Sequence, residues 1–218
     1  MDITLAEEIM LLSLDEESGA ARQRQAAGWA VAAGILVELV LAERIAVSGK
    51  HLELTGTEPT GVPLLDGRLP LMETWLRGRR RRVSDWLTKD HMRAVSATLE
   101  SLAARGLVVE ERHKVLGMFP VRRYPEADAT VEVALRARLD AAVLGDTEPD
   151  ERTATLIALL HSAKLHRLAF PGHRASEVRP RMGEIAAGKW AAEAVRVAIR
   201  EVQVAMIAAT AATAAAVS

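Results

Sequence analysis

Cysteine is absent from the 218 residues. That removes disulfides, thiolate nucleophiles and cysteine-ligated metals together, and leaves the redox compartment open. Aromatic residues make up only 3% of the chain, too few for a surface that stacks single-stranded bases. The formal net charge of -1 supplies no global pull toward nucleic acid or membrane, so no nucleic-acid partner is expected and any electrostatic argument must rest on local clusters. The start, MDITLAEEIMLLSL, is acidic where an export signal is basic, and the expectation is a cytoplasmic protein, at most peripheral on the inner membrane face. The chain contains no G-x-S-x-G elbow, P-loop, dinucleotide glycine motif or metal-ligand cluster, so neither cofactor nor metal is expected.

What is present is alanine and long apolar stretches. Hydrophobic residues make up 50% of the chain, enough for the core of a single domain over 1–218, with an Ala/Thr tail at about 208–218 that frays. The most informative stretch is Trp29 to Ala42, WAVAAGILVELVLA, in which Glu38 is the only charge. A helix apolar on every face belongs inside a domain, and this one is shorter than the ~20 residues that a bilayer span needs. Glu38 must therefore be protonated or paired, and a structural ion pair or cap is the ordinary way to satisfy it.

Around this helix the pattern is mainly α. Thr4 and Glu7 have capping-box spacing ahead of Leu5, Ile9 and Leu12. Ile45 to Leu54 alternates as a short hairpin about Ser48-Gly49-Lys50, and Glu58 to Pro63 is a rigid loop. Asp90 is placed to cap a helix through Val95, Leu99 and Leu102 that stops at Gly106. Leu107–Val109 and Val115–Val121 are expected as strands joined by a charged turn, the second an edge strand because of Pro120. Further helices are expected from 131, over Thr153–Ala169 and from about Lys189, with a loop over Pro171–Pro180. His161 and His166 are five apart, on different faces of the expected helix, and do not form a metal pair.

The strongest charge run is Arg77, Arg79, Arg80, Arg81 and Arg82, flanked by Trp75 and Trp86. It is either an anionic-surface grip, at about 1 kcal/mol per charge near a membrane, or a solvated helix end.

Four motifs together resemble the Golgi phosphoprotein 3-like family, in its bacterial, actinomycete-type branch. These are TLAEEIMLLSLDEESG, GILVELVLAERI, EPTGVPLLD and RGLVVEERHKVLGMFPVRRYP, and the helix after EPDERTATLIALLHSAKL also fits. The third departs from the family at Val62, where an acidic residue is usual. The resemblance implies a central buried helix ringed by amphipathic helices, with a projecting β-hairpin. It also implies self-association through that hairpin, here the apolar stretch Val115 to Phe119. In eukaryotic relatives it implies a peripheral membrane protein whose pocket reads the head group of phosphatidylinositol 4-phosphate with an aromatic residue and several cations. Gap-free alignment puts Gln23, Ala32, Met92 and Val95 at those positions, so the phosphate-gripping side chains are missing. Arg22, Arg24 and Arg93 are the nearby replacements.

Two functions follow as expectations. In the first, the remade pocket binds a small organic substrate and performs cofactor-free dehydration, conjugate addition or cyclisation, lyase-type proton-transfer chemistry of specialised metabolism. His91 would be the acid or base, Asp85 or Asp90 its orienter and Arg93 the holder of an enolate oxygen, with Arg22, Gln23, Trp29, Ala32, Trp86 and Met92 lining the site. The plain alternative for Asp90 and His91 is a cap and an exposed first turn. In the second, the arginine run binds phosphoinositide or other anionic lipid head groups.

Overall fold

The computed structural model describes residues 3–15, 19–20, 22–115, 119–145, 147–188 and 193–215. It is mainly helical, as the periodicity requires, and the order of elements begins with two helices locked together by side-chain caps. Helix α1 (Leu5–Ser13) starts at the expected capping box, with the Glu7 backbone N–H donating to Thr4 Oγ1 at 3.2 Å and the Thr4 N–H donating to Glu7 Oε2 at 2.6 Å. Every residue of α1 is buried, Glu7 and Glu8 included. Buried carboxylates persist only when matched. Glu7 Oε1 accepts from Ser101 Oγ at 2.7 Å and pairs with Arg105 at 2.9 Å, while Glu8 pairs with Arg138 at 2.6 Å and Arg152 at 3.4 Å. Burial still holds the Glu8 carboxyl above its ordinary value, although both arginines pull it down.

Helix α2 (Arg24–Leu41) is the central helix and extends the expected stretch toward the N-terminus. Its residues from Ala27 to Val37 are all buried. Gly34 lets α1 lie close: a Cβ there would meet Ala6 N at 3.1 Å and the Leu5 carbonyl carbon at 3.3 Å. Glu38 is both an ion-pair partner and a cap. Its Oε1 accepts the Leu5 N–H at 2.8 Å and the Arg152 guanidinium at 3.3 Å.

After α2 come β1 (Ile45–Ser48) and β2 (His51–Leu54), paired antiparallel from Ile45↔Leu54 to Ser48↔His51. The loop that follows is held by two side chains. Asp66 accepts from Thr60 N at 2.6 Å, Thr60 Oγ1 at 2.7 Å and Gly61 N at 3.1 Å. Arg44 donates to the carbonyls of Glu58 at 2.7 Å and Ala42 at 2.8 Å. The EPTGVPLLD motif is thus a loop clamp. Helix α3 (Pro63–Leu76) begins with proline at its first turn, where the missing N–H costs nothing. A two-residue strand, β3 (Arg81–Arg82), adds to the hairpin as His51↔Arg82 and Leu52↔Arg81. Helix α4 (Val83–Ala104) then packs along α2.

The remaining elements are β4 (Glu111–Val115), β5 (Phe119–Arg123), α5 (Thr130–Val143), α6 (Glu151–Ser162), α7 (His166–Ala169), α8 (Ala175–Ala187) and α9 (Glu193–Ala215). Several boundaries differ from expectation. Helix α4 starts seven residues ahead of Asp90, so Asp90 is an interior residue and not a cap. The strands of the second hairpin lie at 111–115 and 119–123, in register Val115↔Phe119; Leu116 and Met118 of the expected self-association edge fall outside the described residues. Of the loop expected over Pro171–Pro180, residues 175–180 are helical, the first part of α8, despite Pro180. The expected single helix to Ala169 breaks after Ser162, where Lys164 adopts φ 58. Among the described residues no helix is long and apolar enough to cross a membrane.

Candidate functional site

The end of α3 decides where the arginine run goes. Arg77 and Gly78 both take positive φ, 48 and 69, and the Arg79 N–H returns to the Leu76 carbonyl at 2.9 Å. Two successive left-handed residues turn the chain sharply out of the helix, and pairing of β3 with β2 fixes its exit. The five arginines therefore fan out onto separate surfaces instead of forming one patch.

Arg77 and Arg81 face a cleft of about 410 Å³ between α3 and α4, whose walls also include Trp75, Lys89, Asp90 and Arg93. Lys89 and Arg93 stand one turn apart on α4, the spacing that puts two side chains on one face. The Arg81 guanidinium carbon lies 5.0 Å from the centroid of Trp75, a cation–π placement, and Trp75 leans on Trp86 at 5.2 Å with a 56° tilt. Asp90 is buried and forms an ion pair with buried Arg68. The single carboxylate of the cleft is thus already matched from behind. Burial, then the charge of Arg93, holds the Arg68 guanidinium below its ordinary value. Among the described residues, the ion pairs reach none of Arg77, Arg81, Lys89 or Arg93. Four cations with no acidic partner therefore share one concavity beside two indoles.

The neighbouring surfaces differ in charge balance. Arg79 and Arg80 lie with Arg77 in a second hollow that also contains Glu53 and Glu73, and Arg80 pairs with Glu53 at 2.5 Å. Arg82 is carried to the other side of the sheet, with Lys50, Ser84 and Glu201. Of the run, then, only Arg77 and Arg81 join the uncompensated cleft. Lys89, its fourth cation, was not singled out by the sequence; the i, i+4 pair Lys89 and Arg93 ahead of an apolar helix face was the available signal.

The expected acid/base constellation is placed differently. His91 stacks on buried Trp29, with ring centroids 4.4 Å apart and planes 7° from parallel, and its Nδ1–H donates to the Thr88 carbonyl at 3.0 Å. The stack occupies the gap between the start of α2 and α4. Asp85 is exposed, with Ser84 Oγ at 3.3 Å. At about 100° per residue, Asp85 sits about 120° around α4 from His91, and Arg93 about 160° from it. Trp29 and His91 meet; Asp85, His91 and Arg93 do not converge, and Arg93 and Trp86 belong to the cationic cleft. Arg22 is exposed and paired with Asp15, and Gln23 is exposed at φ 45. Ala32 and Val95 are core residues and Met92 is exposed, so these three mapped head-group positions offer no phosphate donor. The side chain of Arg24 lies outside the described residues.

A second titratable cluster lies at the α6–α7 corner. The break at Lys164 brings His166 Nε2 to 3.4 Å from His161 Nδ1, with the rings edge to face. Burial, then the charges of His161, Arg179 and Lys164, pushes His166 down to about 4. Among the described residues no group of three or more metal-ligating side chains forms.

A family model described as Golgi phosphoprotein 3 (GPP34) matches residues 5–202. No curated protein matches the chain.

Proposed function

The chain belongs to the Golgi phosphoprotein 3 (GPP34) family, and on that premise we propose that it is a peripheral protein that holds anionic lipid head groups in the cleft between α3 and α4. The observation that carries this reading is the convergence of Arg77, Arg81, Lys89 and Arg93 without acidic partners. Guanidinium and ammonium groups form their strongest hydrogen bonds with phosphate oxygens. Exposed Leu71 and half-buried Trp75 on the same rim suit the boundary between head groups and acyl chains, where an indole has an apolar body and a polar edge. The reading differs from the one implied by eukaryotic relatives in its location, since it uses the α3–β3 turn and one face of α4 in place of the start of α2. Acid/base catalysis on a small organic substrate has less support, because His91 is stacked on Trp29 and the charged groups assigned to assist it lie elsewhere on α4.

The test is co-sedimentation with vesicles containing phosphatidylglycerol at low salt. Binding is expected, falling steeply as salt is raised. Arg77→Gln with Arg81→Gln, Lys89→Gln and Arg93→Gln should abolish it. Arg79→Gln with Arg80→Gln and Arg82→Gln removes nearly as much charge but should leave most of the binding in place. Absence of binding by the unaltered protein, or equal losses in the two sets, would refute the assignment.

A further inference from the structure

We propose that the α3–α4 cleft selects a diphosphate ester, two linked phosphoryl groups on one ligand, over a single phosphoryl group. The inference rests on the anionic-ligand reading above. Its basis is the number and the spread of the unmatched cations. Lys89 and Arg93 form one pair along α4, their stems about 5–6 Å apart as for any i, i+4 pair. Arg77 and Arg81 come from the opposite wall, on either side of the Gly78–Arg80 turn. Cation pairs on two walls of a cleft of about 410 Å³ offer two anion positions, and two phosphoryl groups in a row fill both, one at each pair.

Charge leads to the same class. A phosphodiester carries one negative charge and a phosphomonoester about two at neutral pH, against four cations in the cleft. Asp90 does not reduce that count, because its carboxylate is paired with Arg68. A diphosphate ester comes closer to balance than either, without a metal ion. The organic part of the ester has a surface to rest on: Leu71, Trp75 and Trp86 form the apolar side of the same cleft. Arg81 covers one face of Trp75. Drawing its guanidinium toward a phosphoryl group would uncover that face, so ligand binding should change tryptophan emission. Two sources share this chemistry: a lipid diphosphate, whose chain would lie on Leu71, and a nucleoside diphosphate, whose base would lie on Trp75.

The experiment titrates the full chain, by calorimetry and tryptophan fluorescence, with inorganic pyrophosphate, orthophosphate and sulfate at matched ionic strength. Pyrophosphate is expected to bind at least tenfold more tightly than the other two. Arg77→Gln and Arg93→Gln, each at an exposed position and checked for unchanged circular dichroism, should each cut that preference severalfold. Arg79→Gln should not. Geranyl diphosphate and ADP are then compared, and a gain over pyrophosphate for either one identifies the source. Equal affinities for pyrophosphate and orthophosphate would overturn the diphosphate assignment and leave anionic head-group binding intact. A pyrophosphate preference unchanged in both Arg77→Gln and Arg93→Gln would overturn it by placing the site elsewhere. If neither these anions nor anionic vesicles bind, both readings fall.

Discussion

Glu38 of the central helix accepts the backbone N–H of Leu5 at 2.8 Å, a donor in the first turn of α1 that has no partner within its own helix. The same carboxylate oxygen receives Arg152 from α6 at 3.3 Å. One side chain thus ties three helices together. Glu38→Ala should lower stability by about 1.5–3 kcal/mol, the range for hydrogen bonds to a charged group. Glu38→Gln keeps an acceptor for Leu5 and should lose less. Urea unfolding of the two variants ranks them, and equal losses would show that the charge alone matters.

Two glycines of α2 should respond to alanine with opposite signs. Both lie in helix, where alanine is intrinsically favoured by up to about 1 kcal/mol. At Gly28 an added Cβ meets Val95 Cγ2 at 3.4 Å and the His91 carbonyl at 3.5 Å, ordinary contact distances. At Gly34 it meets the α1 backbone at 3.1 Å, and backbone cannot step aside as a side chain can. Gly28→Ala should therefore raise the melting temperature slightly, whereas Gly34→Ala should lower it by the cost of overpacking, about 1–3 kcal/mol.

The central helix, the capping box, the first hairpin and the Pro-Thr-Gly loop were legible because each depends on residues close in sequence, whereas the charged stretch expected as the turn of the second hairpin is its first strand. Thr4 and Glu7 are three apart, and the run from Trp29 admits no exposed face. The cleft was legible only in part. Arg77 and Trp75 drew notice, but the left-handed pair Arg77-Gly78 scatters the rest of the run, and a periodic pattern does not reveal the direction in which such a turn aims its neighbours. Lys89 entered through a tertiary contact between α3 and α4. The expectation for His91 failed to foresee its stacking because local supply was taken as proximity: side chains six positions apart on a helix point in different directions. His161 and His166 were separated by an expected helix that Lys164 interrupts.

Acid should destabilise the protein through His166. Its folded-state value is about 4, below the ~6.5 of an exposed imidazole. Between those values the unfolded chain binds the proton and the folded one does not. The stability is thus fully present above the unfolded value and is lost as pH falls through this window, by at most about 3 kcal/mol. Glu8, whose carboxyl is held above its ordinary value, has the opposite slope and should blunt the effect. Chemical unfolding at pH 7 and pH 4.5 should show the loss, and His166→Phe should reduce it. An unchanged pH dependence in that variant would assign the acid sensitivity to other groups.

The Arg68–Asp90 pair separates the floor of the cleft from its grip. Both side chains are buried, at 7% and 4% exposure, so removing one leaves the other without a partner in a place that water barely reaches. Asp90→Leu alone should cost about 3–5 kcal/mol, the usual penalty for half a buried pair. Arg68→Met combined with Asp90→Leu removes both charges while keeping similar volume, and such replacements are often neutral or stabilising. The double variant should then melt well above the single one. It should also keep binding to anionic vesicles, because Arg77, Arg81, Lys89 and Arg93 are untouched. Loss of binding in a folded double variant would mean that Asp90 and Arg68 act on the ligand themselves and are more than a neutral support. Retained binding, with a melting temperature near that of the unaltered chain, would confine recognition to the four cations and the two indoles beside them.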